Sequence, residues 1–134
     1  NETQEFYQLN MAICLFAQHK LEEALDIIPF GSSYSNYHIA ARRLELKIYF
    51  ELNSELLPYK IDAFRMHISR ASQKFLSDSL RELHANFVNL LQQISQSPRR
   101  NKERSEYLIR RIQEKKWVAE RHWLLEKARE LAHS

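Results

Sequence analysis

The sequence predicts an all-α fold of about six or seven helices, and two observations lead to this prediction. First, the 134 residues include one glycine, Gly31, and three prolines, at positions 29, 58 and 98. A β-rich domain of this length needs many more turn residues. Second, apolar residues recur every three or four positions along most of the chain, which is the period of a helix with one buried face.

The periodicity and the turn residues together place each element. We expect helices at about residues 3–18, 21–28, 37–52, 57–68, 79–97 and, after Pro98, within 101–132. The three residues between the first two helices force an antiparallel helical hairpin. Ser35 or Asn36 can cap the third helix, and Ser79 with Glu82 has the spacing of a capping box for the fifth. The domain prediction is a single unit over residues 1–134, with hairpins at about 3–30, 37–70 and 78–115 and a final helix at 117–132.

The last helical region should contain a break near Lys115 and Lys116. The apolar stripe that ends at Ile112 is out of phase with the stripe that begins at Trp117, because five residues advance a helix by about 140° beyond a full turn. Trp117 and Trp123 are six residues apart and therefore on different sides of one helix. We expect one of them in the core and the other exposed as a contact residue.

The first helix has apolar residues on most of its sides. Phe6, Leu9, Ile13 and Phe16 form one stripe with other apolar residues beside it, which predicts a helix buried on most sides. Cys14 lies in this run, and we expect a buried, inert thiol. A single cysteine excludes an intramolecular disulfide and a cysteine-rich zinc site. It also favours a reducing, cytoplasmic setting, as does the lack of a membrane-spanning stretch or secretory leader in the sequence.

Charge is distributed unevenly. Residues 1–35 have a net charge of about −4, whereas residues 98–116, the basic segment, have a net charge of about +5. The candidate basic face consists of Arg99, Arg100, Lys102, Arg104, Arg110 and Arg111. It is either a solvated helix face or a surface for non-specific, electrostatic binding of nucleic acid, since nothing nearby could read bases.

No catalytic, cofactor or metal site is predicted. One glycine cannot build a phosphate loop, a dinucleotide fingerprint or a nucleophile elbow. The six histidines show no paired metal-binding spacing, and Glu130 with His133 is a single motif where a di-iron site needs two. The serines and tyrosines of residues 32–37 beside His38 form either a capped turn or a small binding site, and helix capping alone accounts for such residues.

One segment resembles a known repeat family. In tetratricopeptide repeats, a large and a small residue begin the helix crossing, a small residue stands in the second helix, and glycine usually occupies the turn. The matching residues here are Met11, Ala12, Leu15, His19, Ala24 and Ile28. His19 stands where the glycine is expected and would need a positive φ. The resemblance covers about 25 residues and implies a right-handed array of antiparallel hairpins, with later hairpins degenerate.

The resemblance also implies a protein-interaction module without catalytic activity. The first helix of such a repeat lines the binding groove, so Phe6, Leu9, Ile13 and Phe16 are the candidate contacts with a protein or peptide partner. Alternatively, these residues meet a preceding repeat, because a chain that begins at Asn1 is expected to be part of a longer protein. An open apolar face could also pair with a second copy, which would give a homodimer.

Overall fold

The computed structural model describes residues 2–29 and 37–133, and the regular elements in these ranges are seven α-helices with no strand. The all-α prediction is confirmed. The helices are α1 (Glu2–Ala17), α2 (Leu21–Ile27), α3 (His38–Glu51), α4 (Leu57–Arg70), α5 (Asp78–Ser95), α6 (Lys102–Glu114) and α7 (Arg121–Glu130). The capping residues predicted for α3 and most of the serine-tyrosine loop before it lie outside the described residues.

The chain divides into two compact units, Asn1–Lys60 and Ile61–Ser134. The boundary falls within α4, so the first turn of this helix belongs to the first unit and the rest to the second. Each unit has buried apolar residues of its own. The single array predicted over residues 1–134 stays a prediction.

The first unit is built on the hairpin of α1 and α2. The chain reverses at His19, whose φ of 60° is the left-handed conformation that glycine usually supplies. Backbone hydrogen bonds from His19 N to the Phe16 carbonyl (2.9 Å) and from Lys20 N to the Leu15 carbonyl (2.8 Å) close the end of α1. The chain therefore reverses direction within three residues, with His19 in the left-handed conformation at the turn.

Two alanines lie in the core of this hairpin. Ala12 of α1 and Ala24 of α2, the small residues of the repeat-like pattern, have no exposed surface and belong to the same apolar cluster. A small side chain at a helix crossing lets the two axes approach closely. This close approach accounts for the full burial of both residues.

Enlarging one of these alanines should strain the hairpin. We expect Ala24→Leu to lower the free energy of unfolding by about 1–3 kcal/mol, because three additional heavy atoms must enter a filled space. Ala17→Leu is the matched control, since Ala17 is exposed near the end of α1 and should change stability by less than about 0.5 kcal/mol. Thermal or urea unfolding measures both variants, and an equal effect of the two would contradict the close crossing.

Helix α3 completes the core of the first unit. Ala41, Leu44 and Ile48 are buried in the cluster formed by α1 and α2. The Arg42 guanidinium donates to the Glu45 carboxylate (3.1 Å) and to the carbonyl of Pro29 (2.9 Å), just beyond α2. This arrangement, which the sequence pattern did not predict, supplies a hydrogen-bond donor for a carbonyl that α2 leaves without a helical partner.

In the second unit, one face of α5 consists of its own buried apolar residues. Helix α6 packs chiefly against α7. The backbone N–H of Asn101 donates to the Leu131 carbonyl (2.9 Å), and the buried Ser105 hydroxyl donates to the Ala128 carbonyl (2.6 Å). Both bonds join the start of α6 to the end of α7. The predicted apolar stripes indicated two helices in this region but gave no sign of the polar contacts between them.

The break between α6 and α7 is confirmed, and its position differs from the predicted start of the last helix. Helix α7 begins at Arg121, after a residue with positive φ, Glu120 (60°), instead of at Trp117. Trp117 therefore lies in the connection and is 39% exposed, whereas Trp123 is buried. The backbone N–H of Ala119 donates to the Leu83 carbonyl of α5 (3.0 Å), which holds the connection in a non-helical path.

The predicted capping box of α5 is wrong. Ser77, two residues before Ser79, is extended and accepts a hydrogen bond from the backbone N–H of Leu80 (3.4 Å). Both serines meet the chemical requirement for a cap. Leu76, just before this cap, is buried, and the helix begins at Asp78, earlier than the motif suggested.

Candidate functional site

Helix α1 exposes large apolar side chains that a globular core would normally cover. Phe6 is 45% exposed, Tyr7 69%, Met11 57% and Ile13 47%. We call these four residues the outer face of α1. The expectation that α1 is buried on most sides is wrong, because α2 and α3 cover only the side that holds Leu9 and Ala12. The large residue of the repeat-like crossing, Met11, is thus solvent-facing.

The outer face covers nearly half of the circumference of the helix. At about 100° per residue, the arc from Ile13 through Phe6 and Tyr7 to Met11 spans about 160°. Cys14 lies on the same arc and is exposed, so the prediction of a buried thiol is also wrong. Asn10, Thr3 and Ala17 share the arc, and it contains no charged residue. An uncharged arc of this width is unusual for a solvent-facing helix surface.

One end of the outer face forms an aromatic depression. The Phe6 ring contacts the Tyr7 ring edge-on, with centroids 5.9 Å apart, and the Tyr37 ring at 5.7 Å. With Thr3 these rings line a shallow depression of about 340 Å³. Tyr37 immediately precedes α3, so the contact between α1 and α3 positions the depression.

The four predicted contact residues divide between core and surface. Leu9 is buried and Phe16 is half-buried in the apolar cluster, with the Lys47 ammonium 4.9 Å from its ring centroid. Phe6 and Ile13 are exposed on the outer face. Sequence reasoning missed Tyr7 as a surface residue, although its helical position between Phe6 and Met11 could have indicated it.

The hairpin that presents the outer face is acidic. Residues 2–29 contain one lysine, Lys20, and no arginine, against five carboxylates at positions 2, 5, 22, 23 and 26. Glu22, Glu23 and Asp26 are exposed on α2. The apolar outer face is therefore flanked by the negative charge of the same hairpin.

The candidate basic face is not one face. Arg99, Arg100, Lys102 and Arg110 are exposed, whereas Arg104 and Arg111 are half-buried. On α6, Arg104 and Arg111 lie within about 20° of each other, and Lys102 and Arg110 project from other parts of the helix. The Arg104 guanidinium donates to the Ser97 hydroxyl (3.0 Å) and lies over the Tyr107 ring. The six residues thus separate into solvated charges and packed ones.

Other kinds of site find no support within the described ranges. No three histidine, cysteine, aspartate or glutamate side chains there lie close enough together to hold a metal ion. None of the helices that the structure describes is long and apolar enough to cross a membrane. Comparison with protein-family models, with curated proteins and with solved structures finds no match for this chain.

Proposed function

We propose that this chain is a non-catalytic protein-interaction module that binds a partner through the outer face of α1. The observation that supports this most directly is the uncharged arc of Phe6, Tyr7, Met11 and Ile13, exposed on a single helix. Contiguous exposed apolar patches mark interaction sites, and aromatic and methionine side chains are enriched in interfaces. Tyr7 and Phe6, with Tyr37, provide the rigid aromatic anchors that carry much of the binding energy at such sites.

The partner we propose is an amphipathic helix with basic flanks on another polypeptide. An apolar helix face matches the apolar arc, and lysine or arginine flanks complement the five carboxylates of residues 2–29. A symmetric dimer through α1 is less favourable, because it would bring two acidic hairpins of about −4 each against one another. Charge therefore favours a different partner over a second copy.

We further propose that the first hairpin is a tetratricopeptide-like unit and that the chain belongs to a right-handed array of such hairpins. The three-residue turn, the buried Ala12 and Ala24, and the φ of 60° at His19 support this proposal. A scaffolding role in a reducing, cytoplasmic setting agrees with an exposed, free Cys14. Binding of nucleic acid by the basic segment has less support, because its charges do not converge on one face.

The proposal predicts binding of a synthetic peptide of about 20 residues with a leucine-rich helical face and lysine flanks. Fluorescence anisotropy of the labelled peptide measures its dissociation constant. We expect Phe6→Ser and Tyr7→Ser to weaken binding at least about tenfold, since both remove exposed anchor rings. These substitutions should leave the fold intact because neither side chain is buried.

Two controls make this experiment specific. Tyr59→Ser removes an aromatic side chain that is 73% exposed on α4, and it should change binding less than about twofold. A peptide with the same apolar face and glutamate flanks should bind more weakly than the lysine-flanked one. Equal losses from the α1 and α4 variants would contradict the proposal. So would a concentration-dependent dimer, seen by sedimentation velocity, that Phe6→Ser abolishes.

A further inference from the structure

The second unit contains a polar groove separate from the outer face of α1. It lies between α5 and α6 and has a volume of about 330 Å³, within the range of small-molecule sites. Its polar lining consists of four side-chain amides of α5, one cation in the last turn of α6 and one just after it: Asn86, Asn89, Gln92, Gln93, Arg111 and Lys115. The lining includes no carboxylate, and Leu90 is its one apolar member.

The two cations of the α5–α6 groove lack a charge partner. Arg111 lies in the last turn of α6 and Lys115 directly follows the end of this helix, and both side chains line the groove. Neither forms an ion pair with any residue of the described ranges, and the Nε atom of Arg111 is buried without a hydrogen-bond partner. A half-buried guanidinium without a carboxylate is unfavourable, so a bound anion would stabilise this arrangement.

The amides of α5 are oriented by a third cation. The Arg65 guanidinium donates to the side-chain oxygens of Asn89 and Gln92, both at 2.8 Å. These bonds occupy the oxygen ends of the amides and leave their NH₂ groups as the available hydrogen-bonding ends. The groove therefore combines the NH₂ groups of Asn89 and Gln92 with the charged N–H groups of Arg111 and Lys115. The Asn86 NH₂ group already donates to the Trp117 carbonyl (2.7 Å).

We propose that the α5–α6 groove binds the phosphate group of a small organic phosphate. A phosphate offers several acceptor oxygens and negative charge, which match a guanidinium, an ammonium and the amide NH₂ groups. The groove is larger than one phosphate ion, so the remaining space accommodates a small polar carrier. The proposal is independent of the protein-binding role of α1, because every residue that it uses lies in residues 61–134.

Titration of the full chain with inorganic phosphate and with ribose 5-phosphate, at constant ionic strength, tests this site. Two-dimensional ¹⁵N NMR follows the Arg111 side-chain Nε–H and the amide NH₂ groups of Asn89 and Gln92. We expect saturable shifts of these signals. Tighter binding of ribose 5-phosphate would identify an organic phosphate as the ligand, and equal binding would identify the free ion at the same site.

Matched variants distinguish a specific phosphate-binding site from general electrostatic attraction to the protein surface. Arg111→Gln should raise the dissociation constant at least about tenfold, whereas Arg110→Gln, the same charge change at an exposed neighbour, should raise it less than about twofold. Lys115→Gln provides a second test if Arg111→Gln does not fold. Equal weakening by the substitutions at 110 and at 111 or 115 would overturn the proposal, and so would shifts that do not saturate.

Discussion

Replacing Phe87 by alanine is expected to lower the free energy of unfolding by about 3–5 kcal/mol. Phe87 lies in the middle of α5, has no exposed surface and contacts the Phe64 ring edge-on, with centroids 6.2 Å apart. Removal of the ring leaves a cavity and removes this aromatic pair, and the surrounding helices can close such a space only in part. Urea unfolding, followed by helical circular dichroism, measures the effect.

Leu80→Ala is the control for this substitution, because Leu80 lies on the same helix and is 46% exposed. We expect it to change stability by less than about 1 kcal/mol. Both substitutions place alanine in α5, so differences in helix propensity are small. If Phe87→Ala were no more destabilising than the control, the Phe87 ring would not be closely packed in the second unit.

The second large effect is expected for Arg121→Ala. The Arg121 guanidinium donates to the carbonyls of Ile112 (2.5 Å), Lys115 (2.6 Å) and Lys116 (3.2 Å). These carbonyls lie at and beyond the end of α6, where a helix leaves its last carbonyls without intrahelical partners. Charge-assisted hydrogen bonds are among the stronger ones, so we expect a loss of about 2–3 kcal/mol after allowing for the exposed part of the contact.

Arg110→Ala controls for the loss of one arginine. Arg110 is exposed on α6, and its removal should change stability by less than about 0.5 kcal/mol. Hydrogen exchange of the amides in α7 adds a local measurement, because loss of the Arg121 contacts should open the connection between α6 and α7 first. Equal stability of the two variants would mean that the hydrogen bonds of Arg121 do not hold this connection.

Much of the helical framework was predictable from periodicity alone. The break after Glu114 followed from the change of phase between Ile112 and Trp117, which needs no tertiary information. The contacts that fix helix ends were not predictable. Arg81, for example, donates to carbonyls at and after the end of α4, including that of Ala71 (2.7 Å). The sequence alone does not distinguish an arginine that donates hydrogen bonds to the end of another helix from an arginine that faces solvent.

Only part of the candidate site was predictable from the sequence, because the apolar pattern does not show which residues other helices cover. An apolar stripe identifies residues that avoid water, but it does not say which of several apolar sides is covered. Leu9 packs against α2 and α3, whereas Phe6 and Ile13, from the same predicted stripe, are exposed. Cys14 was assigned to the core because its neighbours are apolar, yet no described helix covers that side of α1.

The outer face of α1 is the proposed binding surface, and the chain's two methionines report on it directly. Met11 lies on that face, and Met66 is similarly exposed on α4 at 47%. Methyl-¹³C labelling of methionine therefore gives one reporter on the face and one matched reference elsewhere. When the lysine-flanked peptide is added, we expect the Met11 methyl signal to shift to saturation while the Met66 signal stays in place. Peptide binding that moves Met66 and leaves Met11 unchanged would contradict the proposed function.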